Sequence, residues 1–118
     1  MKVLIVDDNE ELLEFFLLSL SEVGVEAVGA KSAEEALEQV AKERFDGMVV
    51  DATLGDSDGI GCAQRIREAK NGRNVPLLIM SSFSTPLARR MAKSVGCDDL
   101  LVKPFGAAQF IERVKTLK

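Results

Sequence analysis

The chain alternates short runs of consecutive apolar residues with longer stretches in which apolar residues recur every three or four positions. Five short runs stand out, and each is followed directly by a polar or charged residue: 2–6 and the weaker 26–30, which both begin with a charged residue, and 47–50, 76–80 and 100–102. Runs of this length without internal polar residues are typical of strands that are buried on both sides. The pattern therefore predicts five strands.

The stretches between these runs have helical periodicity. In residues 10–23, one stripe contains Leu12, Leu13, Phe16, Leu17, Leu20 and Val23. Phe15 and Leu18 fall outside that stripe, and we interpret them either as contacts to a neighbouring helix or as a surface patch for a partner.

The remaining helices carry start signals or apolar stripes of their own. Ser32 followed by Glu35 is a capping-box pattern, and Thr85-Pro86 is a typical helix start. A third helix is predicted over 60–70. The inner face predicted for the helix after Thr85 is Leu87, Ala88, Met91, Ala92 and Val95, and for the last helix Ala107, Phe110, Ile111, Val114 and Leu117.

Strands that alternate with helices predict an α/β fold, (βα)5, in which helices cover both faces of a parallel sheet. Right-handed crossovers place the carboxyl ends of all five strands along one edge. In open sheets of this class, ligands bind beyond that edge. We therefore expect the functional residues directly after the strands.

Four of the predicted strands are followed directly by residues whose side chains could bind a metal ion or act in a reaction. Asp7 and Asp8 follow the first, Asp51 the third, Ser81 the fourth and Lys103 the fifth. Carboxylates that meet at one edge repel, since two unit charges about 4 Å apart cost on the order of 4 kcal/mol at an effective dielectric of about 20. A hard divalent cation relieves that repulsion, and oxygen ligands favour Mg2+ over zinc or copper. A carboxylate in such a site is a candidate nucleophile toward phosphorus.

Other acidic residues are interpreted as structural. Asp56 and Asp58 are predicted to form a turn, with Asp58-Gly59 leading into the next helix. Asp98 and Asp99 precede the last strand, where we expect solvated turn residues.

Composition narrows the function classes. The 118 residues, 47% of them apolar, fit one domain spanning 1–118. A formal charge of −4 disfavours nucleic-acid binding. The absence of histidine and the wide separation of Cys62 and Cys97 argue against a zinc site and favour reduced thiols. With no signal-peptide pattern and no membrane-spanning apolar run, we expect a soluble, cytoplasmic protein without membrane contact.

Four segments in order resemble the receiver domains of two-component response regulators, including single-domain chemotaxis regulators. They are VLIVDDN at 3–9, VVDATLGDSDG at 49–59, VPLLIMSS at 75–82 and GCDDLLVKPF at 96–105. The resemblance runs nearly end to end and implies a flavodoxin-like doubly wound sheet with strand order 2-1-3-4-5. In that order, Asp51 is the central acidic residue.

The resemblance also implies roles and partners. Asp51 would accept a phosphoryl group from the phosphohistidine of a sensor histidine kinase or a histidine phosphotransfer protein, assisted by Ser81 and Lys103. The implied Mg2+ ligands are Asp8, Asp51 and the backbone carbonyl of Thr53, with Asp7 in support. A downstream output protein or domain would bind the face formed by helix 4, strand 5 and helix 5. Chemistry would be limited to self-phosphorylation and autodephosphorylation, so we do not expect an enzyme in the usual sense.

The sequence departs from the family pattern in three places. Leu100 stands where many receivers carry a tyrosine or phenylalanine that moves inward with the switch residue, and leucine has no ring to relay that motion. Gly55 and Ser57 replace a common proline and methionine, which suggests a more mobile loop.

Arg89, Arg90 and Lys93 form a basic face on the fourth helix, which we interpret as solvated or, as a further hypothesis, as a partner contact.

Two other functions remain as alternatives. An unphosphorylated, receiver-like interaction module predicts no Mg2+ requirement and no loss of function in Asp51→Asn. A flavin protein or an aspartate-dependent phosphatase fits less well, because the residues after the first strand are Asp-Asp-Asn, not a glycine-rich phosphate loop or a DxD motif.

Overall fold

Five parallel strands form the central sheet of the protein. The computed structural model describes residues 1–54 and 57–117. The strands of the sheet are β1 Lys2–Val6, β2 Glu26–Ala30, β3 Gly47–Asp51, β4 Leu77–Ser81 and β5 Asp99–Val102. The helices are α1 Glu10–Glu22, α2 Ala33–Lys42, α3 Gly59–Glu68, α4 Pro86–Ser94 and α5 Ala107–Lys115. The predictions for Gly55 and Asp56, and the domain end at Lys118, lie outside the described residues.

The strand order is β2-β1-β3-β4-β5, and every neighbouring pair is parallel. The predicted α/β fold and its 2-1-3-4-5 order are therefore confirmed. In this register Val6 lies opposite Val50, and Asp51 lies opposite Met80. The ends of β1, β3 and β4 thus meet at one edge of the sheet.

Helices cover both faces of the sheet because successive strand side chains point in opposite directions. On one face, Leu4, Val50 and Ile79 pack with residues of α2 and α3. On the other face, Ile5 and Met80 join residues of α1 and α5. Among the described residues, no helix is long and apolar enough to cross a bilayer.

Polar caps begin four of the five helices. The side chains of Asn9, Ser32, Asp58 and Thr85 accept backbone N–H groups in the first turns of α1, α2, α3 and α4. The predicted starts at Ser32 and Thr85, and the turn role of Asp58, are confirmed. Helix α3 ends at Glu68, earlier than predicted, and a short 3-10 helix, Lys70–Gly72, follows it.

The inward stripe predicted for α4 is wrong at two positions. Ala92 and Val95 are buried, but Leu87 is 63% exposed and Met91 is 41% exposed. Only the C-terminal half of α4 packs closely on the core, so the apolar residues of its first turns face solvent.

Some residues of α1 also lie outside the core. Leu12 and Val23, which were predicted on the buried stripe, are both partly exposed at its margins. Phe15 and Leu18 are exposed as well, as the surface-patch alternative requires.

The acidic pair before β5 is better ordered than predicted. Asp98 accepts the Leu77 N–H at 2.8 Å. Asp99 is the first residue of β5, and its carboxylate is paired with Arg113 at 2.9 Å. Asp98 is exposed and precedes the strand, as expected of a solvated turn residue, but Asp99 is half-buried within β5, so the expectation is wrong for Asp99.

Candidate functional site

Asp51 occupies the centre of the polar edge of the sheet. It is the last residue of β3 and is only 5% exposed. One carboxylate oxygen, Oδ1, accepts the Thr53 N–H at 3.0 Å, and the other, Oδ2, accepts the Lys103 ammonium at 2.7 Å. The side chain is thus held by its own loop on one side and by a residue after β5 on the other.

Asp7 and Asp8 bring two further carboxylates to Asp51. Asp7 follows β1 directly and is 1% exposed, whereas Asp8 is exposed. One oxygen from each of the three carboxylates lies within 4.8 Å of the others. This is the only such cluster of potential metal ligands in the part of the chain that the structure describes.

The Asp7 carboxylate is incompletely satisfied. Its Oδ1 accepts the Asn9 N–H at 2.9 Å, but within residues 1–54 and 57–117 its buried Oδ2 has no hydrogen-bond partner. Burial raises the pKa of this carboxyl above its ordinary value; the Asn9 N–H opposes the rise, and the nearby Asp51 charge adds to it. A buried acceptor without a partner is costly unless a proton or a cation reaches it.

Lys103 and Ser81 lie at the same edge of the sheet, at the carboxyl ends of β5 and β4. The Lys103 backbone N–H donates to the Ser81 carbonyl at 2.8 Å, which fixes the two strand ends together. The Ser81 hydroxyl is buried and accepts the Phe83 N–H at 3.0 Å. Its hydrogen bond therefore runs along its own chain and not to Asp51.

The loop after Asp51 is braced by a short hairpin. Thr53–Leu54 pairs antiparallel with Ser57–Asp58, and Thr53 lies opposite Asp58. The Thr53 side of the loop is thus fixed both by this pairing and by its N–H bond to Asp51.

Gly59 begins α3 at a point of very close backbone approach. A Cβ added at this position would lie 1.8 Å from the Asp51 carbonyl oxygen, which is far inside van der Waals contact. Its N–H donates to the Ala52 carbonyl at 2.9 Å. Only glycine lets the start of α3 rest against the end of β3 in this way.

The structure brings together the predicted strand-end side chains: Asp7, Asp8, Asp51 and Lys103 lie side by side, and Ser81 is joined to Lys103 through its backbone. Sequence reasoning did not identify the bond from the Phe83 N–H to Ser81 or the close approach at Gly59. The glycine after Asp58 signalled a turn, but nothing in the sequence indicated the contact with Asp51.

The donor set fits a hard divalent cation. Among the described residues, three carboxylates with one neighbouring ammonium leave a net negative charge, and Oδ2 of Asp7 has no hydrogen-bond donor. Carboxylates with room for water are the ligands that Mg2+ prefers.

Known proteins are similar to this chain over nearly its whole length. The family model described as "Response regulator receiver domain" matches residues 3–115. The response regulator MprA of Mycobacterium leprae is 32% identical over 117 residues, which are 99% of this chain and 50% of that protein. The chain thus spans about half the length of the curated relatives it matches.

Solved structures agree closely in fold. The chemotaxis protein CheY4 of Vibrio cholerae superimposes with a TM-score of 0.93 at 26% identity, covering 99% of this chain and 98% of that one. The receiver domain of the sensor histidine kinase PA1611 of Pseudomonas aeruginosa has a TM-score of 0.86 at 24% identity, covering 98% and 95%. That structure is described as having a magnesium ion coordinated in its active-site cleft.

Proposed function

The chain belongs to the response regulator receiver domain family, and from that premise we propose that Asp51 accepts a phosphoryl group from a phosphohistidine. The donor is a sensor histidine kinase or a histidine phosphotransfer protein. The observation that carries the proposal is the position of Asp51, which is buried between two other carboxylates and the Lys103 ammonium.

The acidic cluster supports Mg2+ as the cofactor. The proposed ligands are Asp8, Asp51 and the Thr53 carbonyl. Asp7, which is buried beside them, has a supporting role. The Asp7 Oδ2, which has no hydrogen-bond partner in the described part of the chain, and the proximity of the three carboxylates favour a cation at this point. A bound Mg2+ would offset the negative charge of the phosphoryl oxygens and of the carboxylates.

The side chains around Asp51 have complementary tasks in the transfer. A carboxylate oxygen of Asp51 forms a bond to phosphorus while the phosphorus–nitrogen bond of the donor breaks, and the electron pair remains on the imidazole. The Lys103 ammonium, already 2.7 Å from Asp51, stabilises charge on the phosphoryl oxygens. Ser81 donates a hydrogen bond to one of those oxygens. Beyond this transfer and the later hydrolysis of the acyl phosphate, no other reaction is proposed.

Signal output is proposed to use the face formed by α4, β5 and α5. The matched relatives are about twice the length of this chain, so the partner is either a separate protein or an additional domain. Arg89, Arg90 and Lys93 of α4 are exposed, which suits a partner with acidic groups.

Intact-mass spectrometry tests the phosphoacceptor. After incubation with Mg2+ and acetyl phosphate, the wild-type chain should gain the mass of one phosphoryl group, and Asp51→Asn should not. Asp58→Asn is the matched control, since it removes a nearby carboxylate while asparagine still caps α3. A wild-type chain that gains no mass with any donor, or an equal gain in Asp51→Asn, would favour the unphosphorylated interaction module.

A further inference from the structure

Two adjoining clefts lie at the amino ends of the strands, opposite the acidic cluster. The first has a volume of about 450 Å³ and lies between α3, the end of α4 and the segment before β4. The second has a volume of about 350 Å³ and lies between the segments that precede β3 and β4. Asn74 and Val75 border both clefts, which therefore form one groove, here called the amino-end groove. Its size is that of a small-molecule site.

The amino-end groove carries more positive than negative charge. Its lining includes the acidic residues Asp46 and Asp98 and four basic residues, which leaves a net charge of +2 in a chain whose formal charge is −4. The basic residues are Arg44, Arg67, Lys70 and Arg73. Within residues 1–54 and 57–117, none of the four forms an ion pair with a carboxylate.

The two acidic side chains of the groove are held by backbone N–H groups. Asp98 accepts the Leu77 N–H at 2.8 Å, and Asp46 accepts the Lys2 N–H at 2.7 Å. These bonds fix the carboxylates at the starts of β4 and β1. The positive charge of the groove is therefore left for a partner from outside the described chain.

Arg67 contributes charge to the first cleft but already has acceptors for its N–H groups. Its guanidinium donates to the carbonyls of Val95, Gly96, Gly72 and Val75. Unpaired carbonyls near helix ends attract cations. Because Arg67 satisfies these four, they do not account for the other basic residues of the groove.

The other three basic residues can donate to a ligand. Arg44, Lys70 and Arg73 are exposed and lie outside the five α-helices. Arg73 borders the first cleft, and Arg44 and Lys70 border the second. A guanidinium binds a phosphoryl group through two parallel hydrogen bonds, and an ammonium binds it as a point charge.

We propose that the amino-end groove binds a small ligand with several linked phosphoryl groups. Arg73 contacts one end of the phosphoryl chain, and Arg44 and Lys70 contact the other. A single phosphate occupies one cleft only, so the groove prefers a chain of phosphoryl groups to orthophosphate. The site is separate from Asp51, and its occupation does not require phosphoryl transfer. Inorganic polyphosphate and nucleotides share this chemistry.

Amide NMR in EDTA, with tripolyphosphate as the probe, tests the site. EDTA removes divalent cations, and the metal-free acidic cluster then repels anions. At about 0.15 M salt, which screens diffuse attraction, the Asn74 and Gly96 amides should shift in a saturable way. The Thr53 amide beside Asp51 should not shift. Orthophosphate should bind at least about tenfold more weakly, because it forms fewer charge-assisted hydrogen bonds.

Paired substitutions separate a defined site from general attraction. The double variant Lys70→Gln with Arg73→Gln should weaken tripolyphosphate binding by at least about tenfold. The double variant Arg89→Gln with Arg90→Gln removes the same charge from α4, outside the groove, and should change the affinity by less than about twofold. Thermal unfolding gives a second readout, since a saturating ligand should raise the melting temperature of the wild type and of the α4 variant more than that of the groove variant.

Adenosine triphosphate, compared with tripolyphosphate, identifies the source of the phosphoryl groups. Equal affinities would support recognition of the phosphoryl chain alone, and tighter binding of the nucleotide would support a nucleotide site. Three results would overturn the proposal: no saturable shift at Asn74 and Gly96, equal losses of affinity in the two double variants, or orthophosphate binding as tight as that of tripolyphosphate. None of these results bears on Asp51 as the phosphoacceptor.

Discussion

Asp7 is the residue at which the proposed function and the stability of the fold conflict most directly. Its carboxylate is buried beside two others, and one of its oxygens has no hydrogen-bond partner among the described residues. A group whose pKa is raised by folding binds a proton more tightly in the folded chain than in the unfolded chain. Its ionisation therefore lowers the free energy of unfolding as the pH rises through its raised pKa.

Replacing this charge should stabilise the metal-free protein. In EDTA, Asp7→Asn should increase the free energy of unfolding by about 1 kcal/mol near neutral pH, a typical gain when a strained functional position is relieved. The gain should grow as the pH rises from about 4 to about 7, because only the wild type then carries the buried charge. Urea unfolding at several pH values measures it.

Asp8→Asn provides the comparison, since Asp8 is exposed and its charge is solvated. Its effect in EDTA should be smaller than that of Asp7→Asn. Equal effects, or a loss of stability in Asp7→Asn, would contradict the account of Asp7 as a buried, unsatisfied carboxylate.

The grouping of the candidate site residues could be predicted because each directly follows an apolar run. That rule found Asp7, Asp51, Ser81 and Lys103 from the sequence pattern alone. It could not show which atoms bind each other, since the Phe83 N–H bond to Ser81 depends on a side-chain rotamer. Nor could it show that the Asp99 carboxylate meets Arg113, because that contact joins β5 to α5.

The bounds of the helices and strands agree closely with the sequence pattern. The burial of their faces agrees with it less well. Strands β1 and β2 have the predicted bounds, and each ends directly before a charged residue, Asp7 or Lys31. For α4 the pattern predicted the helix start correctly, but it wrongly predicted that Leu87 and Met91 are buried. Helical periodicity indicates which residues share a face, and it does not indicate whether another element covers that face.

Arg67 joins α3 to neighbouring elements through hydrogen bonds that the sequence pattern did not predict. Its guanidinium donates to the carbonyls of Val95 and Gly96 at the end of α4, and to those of Gly72 and Val75 before β4. Burial lowers the pKa of Arg67, opposed by the nearby Asp98 charge. One side chain thus joins α3, α4 and the start of β4 at the sheet edge opposite the acidic cluster.

Removing this guanidinium should weaken the whole domain. Arg67→Met retains an apolar stem but leaves several carbonyls without a donor, so the free energy of unfolding should fall by about 2 kcal/mol in urea titrations. Arg65→Met is the matched control, since Arg65 is exposed on the same helix and its pairing with Glu34 is 3.8 Å long. That control should change stability by less than about 0.5 kcal/mol. Similar losses in the two variants would refute the role of Arg67.

Across the whole molecule, the proposed chemical site and the Arg67 contacts lie at opposite ends of the strands of one sheet. The acidic cluster is at the carboxyl ends of the strands, and the Arg67 contacts are at the other ends. Alternation of strands and helices predicted a parallel sheet, but the 2-1-3-4-5 order required resemblance to a family. Residue pattern does not indicate which strands are neighbours, because that depends on crossovers between distant segments.

Cation binding should stabilise the entire fold, since the proposed ligands lie at the ends of β1 and β3 and are apart in the unfolded chain. At about 100 times its dissociation constant, Mg2+ should add about 2.7 kcal/mol to the free energy of unfolding and raise the melting temperature. Asp8→Asn should lose most of that increase. Glu68→Gln, which removes one exposed charge from the end of α3, should retain it.

The glycine that opens α3 limits how this protein can be redesigned. Libraries that vary the segment after Asp51, for instance to lengthen or shorten the lifetime of a signal, should keep position 59 fixed. A side chain there would push the backbone of Asp51, the proposed phosphoacceptor. Position 61, where an added Cβ meets nothing nearer than 3.6 Å, offers a freer site for diversification.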